Sequence, residues 1–262
     1  MSTTLQWSAK RRFLTVDLST IDRPRLLIAL EQALGQGQRL TISFLNPDYA
    51  RRAVRDPELA GMINRFDVLL ADGWGVVWGA RLLGITVPDR LANDDIVRDV
   101  FSLCARRETR AFLFGSAPGV ADRAAANLAA AFPGLRVVGC QHGWLDRKRG
   151  HPGYYDEADS AAVVDQINAS EAELLIVGIP TPMQQRWVIA NAERLAPAVI
   201  ITGGSWLDHL AECIDWYPEW VLKLRLCWLY RLKRDPRRLW RRYTLELFDF
   251  ARLVAEAKLR RR

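Results

Sequence analysis

The chain has 262 residues, 50% of them hydrophobic, and a formal charge of +7 from 37 Lys and Arg against 30 Asp and Glu. That length fits one large α/β domain, or one domain with an appendage, able to bury a core of its own. No apolar run reaches the ~18 residues that span a bilayer, and no apolar stretch follows Lys10-Arg11-Arg12 as a signal peptide requires. Cys104, Cys140, Cys213 and Cys227 form no CxxC pair, so they read as reduced thiols of a cytosolic protein rather than a disulfide framework or zinc site.

In chain order, Arg12 to Thr20 reads as a strand and Pro24 to Leu34 as a helix. The β-branched run Arg39 to Pro47 is a strand stopped by Asn46-Pro47, and Tyr49 to Asn64 is helical in pattern. A further strand, FDVLLADG, ends at Asp72-Gly73, and an apolar helix runs on through Leu83. Asn93-Asp94-Asp95 caps a helix to about Arg106. RAFLFGSAPG is a strand and glycine turn, Val120 to Phe132 a helix, LRVVGCQHGW a strand and turn, and Asp146 to Tyr155 a polar loop. A helix over Ala158 to Ala169, the strand AELLIVGIP, a helix from Thr181 and the strand APAVIITGG complete the alternation. This rhythm predicts a Rossmann-like α/β fold, a mostly parallel sheet with helices on both faces.

The charge is uneven. Residues 223–262 hold 14 Lys and Arg against 4 acids, a charge of +10, which leaves the rest at −3. Four of the ten tryptophans (Trp216, Trp220, Trp228, Trp240) fall between 216 and 240, interleaved with the arginines. If helical, and allowing for Pro236, Arg231, Arg234, Arg238 and Arg241 share a face. Rings beside cationic heads suit a lipid headgroup layer, while a solvated basic face with packed tryptophans explains the pattern equally well. The expected division is a catalytic domain over residues 1–204 and a helical appendage over 205–262.

The strand-ending turns at Asn46, Asp72, Gly115-Ser116, Gly143, Gly178 to Pro180 and Gly203-Gly204 converge on the C-terminal edge of such a sheet, where ligands bind. Glycine turns leading into helices favour anions. Asp72 has two readings: an acid delivered to the ligand edge, or the N-cap of the next helix, which spacing alone favours. Gln184-Gln185 reads as ordinary helix surface unless a site lies nearby. With three histidines (His142, His151, His209) and no Glu or Cys at ligand spacing, no metal site is expected. GxGxxG, P-loop, GxSxG and DxD patterns are all missing, which argues against dinucleotide, kinase-type, serine-hydrolase and metal-dependent sugar-nucleotide chemistry.

Together these landmarks resemble the WecG/TagA/CpsF family of bacterial glycosyltransferases, from about Arg12 to Tyr243. The matching positions are Asn46, Asp72-Gly73-Trp74-Gly75, Arg90 and Asp95, Gly115 and Gly119, Gly143, Pro182-Met183-Gln184-Gln185, Gly203-Gly204 and Asp208, then Trp228, Tyr230, Arg231, Pro236, Arg237, Arg241, Arg242 and Tyr243. Departures are Asn93 for a glycine, Met183 and Gln185 for lysine and glutamate, Trp216-Tyr217-Pro218 for arginine-alanine-proline, and Cys227 for an acid.

The resemblance implies an inverting, metal-independent transfer of a sugar from a nucleotide donor, UDP-linked, to a polyprenyl-diphosphate-linked saccharide at the cytoplasmic membrane face. It needs no cofactor and leaves room for a homo-oligomer. It makes Asp72 the general base, Gln184 a donor or acceptor contact and Arg90 a partner of the leaving diphosphate. Asn46, Gly73, Asp95, Gly115, Ser116, Gly143, Gln185, Gly203, Gly204 and Asp208 become substrate-binding. Arg225, Arg231, Arg234, Arg237, Arg238, Arg241 and Arg242 become membrane or diphosphate contacts. Two other readings stand beside it: a nucleic-acid-binding module using the basic tail, and an inactive sugar-binding regulator on the same fold.

Overall fold

The computed structural model describes residues 7–143, 157–224 and 226–260. Its strands are β1 (Lys10–Phe13), β2 (Val16–Ser19), β3 (Leu40–Leu45), β4 (Val68–Ala71), β5 (Arg110–Gly115), β6 (Arg136–Gln141), β7 (Leu174–Gly178) and β8 (Val199–Thr202). The helices are α1 (Arg23–Gln36), α2 (Pro47–Arg55), α3 (Pro57–Asn64), α4 (Trp74–Leu82), α5 (Asn93–Arg106), α6 (Val120–Ala131), α7 (Glu157–Ala169), α8 (Met183–Asn191), α9 (Trp206–Glu212), α10 (Glu219–Lys223), α11 (Cys227–Arg234), α12 (Pro236–Tyr243) and α13 (Leu245–Leu259).

Strands β3 to β8 form one sheet in the order β4-β3-β8-β7-β5-β6, every pair parallel. The expected α/β fold is therefore present. Apart from the edge strand β6, its strands are buried on both sides, so their side chains feed two separate layers with period two. Leu40, Ile42, Leu113, Leu174, Ile176 and Ile201 face a layer with α1, α5, α6 and α9. On the other side Phe112, Phe114, Leu175, Val177 and Ile200 meet α7 and α8, while Leu45, Leu69 and Ala71 meet α2, α3, α4, α13 and the β1-β2 pair. Helix α9, which the expected boundary assigns to the appendage, thus packs into the body through Trp206, Leu207 and Leu210.

Local chemistry moves three expected elements. The predicted strand over Arg12 to Thr20 is an antiparallel hairpin, β1 with β2, turning at Leu14 (φ +53°) and lying outside the main sheet. The predicted helix over Tyr49 to Asn64 is two helices. Pro57 has no N–H to continue α2 and holds Asp56 extended, and the Asp56 carboxylate accepts from Leu59 N (3.0 Å) to start α3. The same break recurs at Asp235-Pro236, so Arg231 and Arg234 lie on α11 and Arg241 on a separate helix, α12. The polar loop expected over Asp146 to Tyr155 lies outside the described residues.

The appendage returns to the body through α13. Phe250 and Val254 are buried against α4, where Gly75 and Gly79 let them approach: a Cβ on Gly79 would lie 3.2 Å from both side chains. A charged seam ties the same helix to α2: Arg51 bonds Asp48 (2.7 Å) and faces Asp249 (3.6 Å), and Arg55 bonds Asp249 (2.6 Å). Removing the Phe250 ring opens a cavity in this contact. Phe250→Ala is expected to cost about 3 kcal/mol of unfolding free energy, read by urea denaturation. Phe248→Ala, at a position 76% exposed, should change stability by less than about 0.5 kcal/mol.

Candidate functional site

The strand order reverses direction twice. The chain leaves β3 toward β4 but reaches β8 from β7, and it leaves β5 toward β6 but passes from β7 toward β8. Crevices open outside the carboxyl ends of strands at such points. Here they merge into one polar cavity of about 480 Å³. Its wall includes Asn46, Asp72, Ser116, Gly143, Gly178 to Pro180, and Gly203-Gly204, so the turns that the sequence singled out do come together. Residues that open α2, α5, α8 and α9 line it too, so several helix N-termini meet at one place. Ser116 Oγ, Asn93 Oδ1 and Trp206 Nε1 are buried there without a hydrogen-bond partner among the described residues. Buried polar atoms left open on a cavity wall suit a polar ligand.

Asp72 follows β4, its backbone N–H donating to Leu45 O (2.9 Å). It is not the N-cap of α4. Gly73 holds that position at φ +95°, a conformation that glycine adopts without strain, and no side chain caps the helix. The Asp72 carboxylate makes no hydrogen bond or ion pair with the described residues. It borders the polar cavity and also a second, apolar groove of about 830 Å³. Trp74, Trp78 and Leu82 of α4, Leu226 and Trp228 of the appendage, and Leu247 and Phe250 of α13 line this groove. Asn46, Asp48, Ala92, Asp94 and Arg231 border both spaces beside Asp72.

The other expected residues divide by what they touch. Asn46 caps α2 through Tyr49 N (2.9 Å) while lining both spaces. Gln184 is 3% exposed and clasps two loops: Oε1 accepts from Gly204 N (2.9 Å) and Nε2 donates to Thr181 Oγ1 (3.1 Å). Gln185 turns inward to Ser43 Oγ (3.3 Å) and lines neither space. Gly73 borders the apolar groove, and Asp208 the polar cavity. Gly115 lies behind the wall, where a Cβ would collide with the carbonyl of Gly178.

Arg90 borders the groove and is bound to Asp95, whose other oxygen accepts from Ala92 N (2.9 Å) at the start of α5. Burial works against the Arg90 charge, but Asp95 and the Cys227 thiol more than offset it and hold the guanidinium above its ordinary range. Asp95 lines neither space.

Among the tail arginines, Arg231 enters the site and donates to Ser205 Oγ (3.2 Å). Arg234 bonds Glu212 (2.8 Å), Arg237 is exposed, and Arg241 is 72% exposed. Arg225 and the side chains of Arg238 and Arg242 lie outside the described residues. Sequence reasoning left His209 unassigned and gave Asp94 only a capping role, yet both line the polar cavity. Nothing in the local sequence joins residues 115 positions apart; the packing of α9 beside the start of α5 does.

The four cysteines are free. No group of His, Cys, Asp and Glu among the described residues could hold a metal ion. No described helix is long and apolar enough to cross a membrane.

Comparison with known proteins agrees with this geometry. The model of the Glycosyl transferase WecG/TagA/CpsF family matches residues 11–262. The N-acetylglucosaminyldiphosphoundecaprenol N-acetyl-beta-D-mannosaminyltransferase of Bacillus subtilis (strain 168) is 26% identical over 202 residues, covering 77% of this chain and 73% of its own. The protein of the same name from Staphylococcus aureus (strain MW2) is 23% identical over 222 residues, covering 85% and 83%. With the family model matching almost end to end, over residues 11–262, the chain belongs to the WecG/TagA/CpsF family of glycosyltransferases.

Proposed function

We propose that the protein moves a sugar from a nucleoside-diphosphate donor, UDP-linked, to a hydroxyl of a polyprenyl-diphosphate-linked saccharide, with inversion and without a metal ion. The observation that carries this reading is the Asp72 carboxylate, unpaired by the described residues where a polar cavity meets an apolar groove. The donor fits the cavity, with its oxygen-rich wall and helix starts. The acceptor's isoprenoid fits the groove, and its saccharide then reaches Asp72.

In one displacement Asp72 takes the proton of the attacking hydroxyl as the new C–O bond forms at the anomeric carbon. The bond from that carbon to the diphosphate breaks on the opposite face, which inverts the centre. The departing nucleoside diphosphate carries the electron pair, and its charge is met by helix N-termini and Arg231. Gln184 acts by holding the Gly204 and Thr181 loops in place. Arg90 with Asp95 fixes the start of α5 and the edge of the appendage. The relatives' named acceptor, a diphosphoundecaprenol-linked N-acetylglucosamine, is the first to test.

In this reading residues 205–262 associate with the cytoplasmic face of the membrane, with α9 as their anchor on the body. Around the groove Trp78, Leu82, Leu224, Trp228 and Phe248 are 47–76% exposed. These apolar groups beside a basic segment match an anionic lipid surface. The departures Met183 and Gln185 do not line the cavity, which favours a working enzyme over an inactive regulator.

Three outcomes are expected. Asp72→Asn should lower transfer at least about 10³-fold, within the range general-base catalysis supplies, while nucleotide binding by calorimetry stays within about twofold. Transfer should persist in excess EDTA. The protein should sediment with anionic liposomes in preference to duplex DNA, and the pair Trp228→Ser and Phe248→Ser should release it. Full turnover by Asp72→Asn would remove the base assignment.

A further inference from the structure

His209 has no part in the mechanism above, yet few side chains of the site are so firmly held. It is 8% exposed, and its Nδ1 lies 3.1 Å from Asp94 Oδ1. Its ring stacks on Trp216 at 3.8 Å with 4° between the planes. Trp216 is fixed in turn: Nε1 donates to Glu212 Oε2 (2.8 Å), and Arg234, bonded to the same carboxylate, stands 5.1 Å above the ring. Packing alone would explain a ring here but not the carboxylate at its edge. An ionised carboxylate only accepts, so Nδ1 carries a proton and Nε2 is the ring's remaining polar atom. His209 lines the polar cavity, and its partner Asp94 borders both spaces, as Arg231 does.

Charge makes this arrangement purposeful. Asp48, Asp72, Asp94 and Asp208 all line the polar cavity, so a diphosphate seated there needs their charge offset. Asp48 is tied to Arg51 and Arg52, whereas Asp94 is occupied by the imidazole. We propose that His209 is a further substrate contact: in its doubly protonated form the ring donates from Nδ1 to Asp94 and from Nε2, aimed by Asp94 and Trp216, to an oxygen of a substrate diphosphate beside Arg231. This rests on the glycosyl-transfer reading. The diphosphate can belong to the donor nucleotide or to the lipid-linked acceptor, and the two Michaelis constants distinguish them.

The test uses the full chain with a UDP-sugar, the lipid-linked acceptor and inorganic pyrophosphate. His209→Phe keeps the stack on Trp216 and removes the nitrogen. It should raise KM for one substrate by about tenfold, the worth of a hydrogen bond to a charged group, and weaken pyrophosphate binding, measured by calorimetry, about as much. The substrate whose KM rises is the one contacted. His209→Gln, which restores an N–H donor, should recover part of both losses. Asp94→Asn, which leaves the histidine in place but loosens its aim, should shift the same constant in the same direction; it decides the matter if His209→Phe does not fold. Both KM values and pyrophosphate binding within about twofold of the unaltered protein in His209→Phe would overturn the contact. Pyrophosphate that binds neither protein would overturn it too. If the unaltered protein performs no transfer, the glycosyl-transfer reading fails, while the pyrophosphate comparison still decides His209.

Discussion

The site depends on one backbone constraint: the strand-to-helix junction after β4 is closed by glycine. At φ +95° Gly73 takes the N-cap position itself, so the preceding carboxylate is not consumed in satisfying the first turn of α4. An aspartate one residue before a helix would ordinarily find those N–H groups and stop there. Asp72 instead stands at the rim of the sheet, between the polar cavity and the apolar groove.

Around that junction, the same few elements hold the cavity, the groove and the appendage in register. The Arg90–Asp95 pair caps α5 and touches Cys227 at the start of α11. One turn further along α11, Arg231 bonds Ser205. Then Arg234 closes over Trp216 and bonds Glu212 at the end of α9. An exposed ion pair such as Arg234–Glu212 contributes little stability by itself. Here these contacts set direction, turning one guanidinium of a very basic segment inward while Arg237 and Arg241 stay in solvent.

Much of this was legible before any coordinates, because strand–helix alternation and turn-ending glycines translate directly into a parallel sheet with one ligand-bearing edge. What was not legible depended on proline and on distance. Pro57 and Pro236 each split an apparently continuous helical pattern, which scattered arginines that had seemed to share a face. For Asp72, spacing favoured a cap, and only the conformation of Gly73 decides otherwise. Gln184 and Gln185 look alike in sequence, but a 100° step around α8 sends one to the cavity wall and the other to Ser43. No local pattern pairs His209 with Asp94, since their meeting is made by packing.

The way α13 closes the chain bears on how such a protein can meet a bilayer. Its buried ring fills space opened by Gly75 and Gly79 and covers Phe13, so the last helix is a lid on one of the hydrophobic layers rather than a loose trailer. Lipid cannot peel it away without wetting that layer. The short helices between Pro218 and Thr244 span two moorings, one on α9 and one on α4, so in the membrane-docking reading proposed above any rearrangement at a bilayer falls to them.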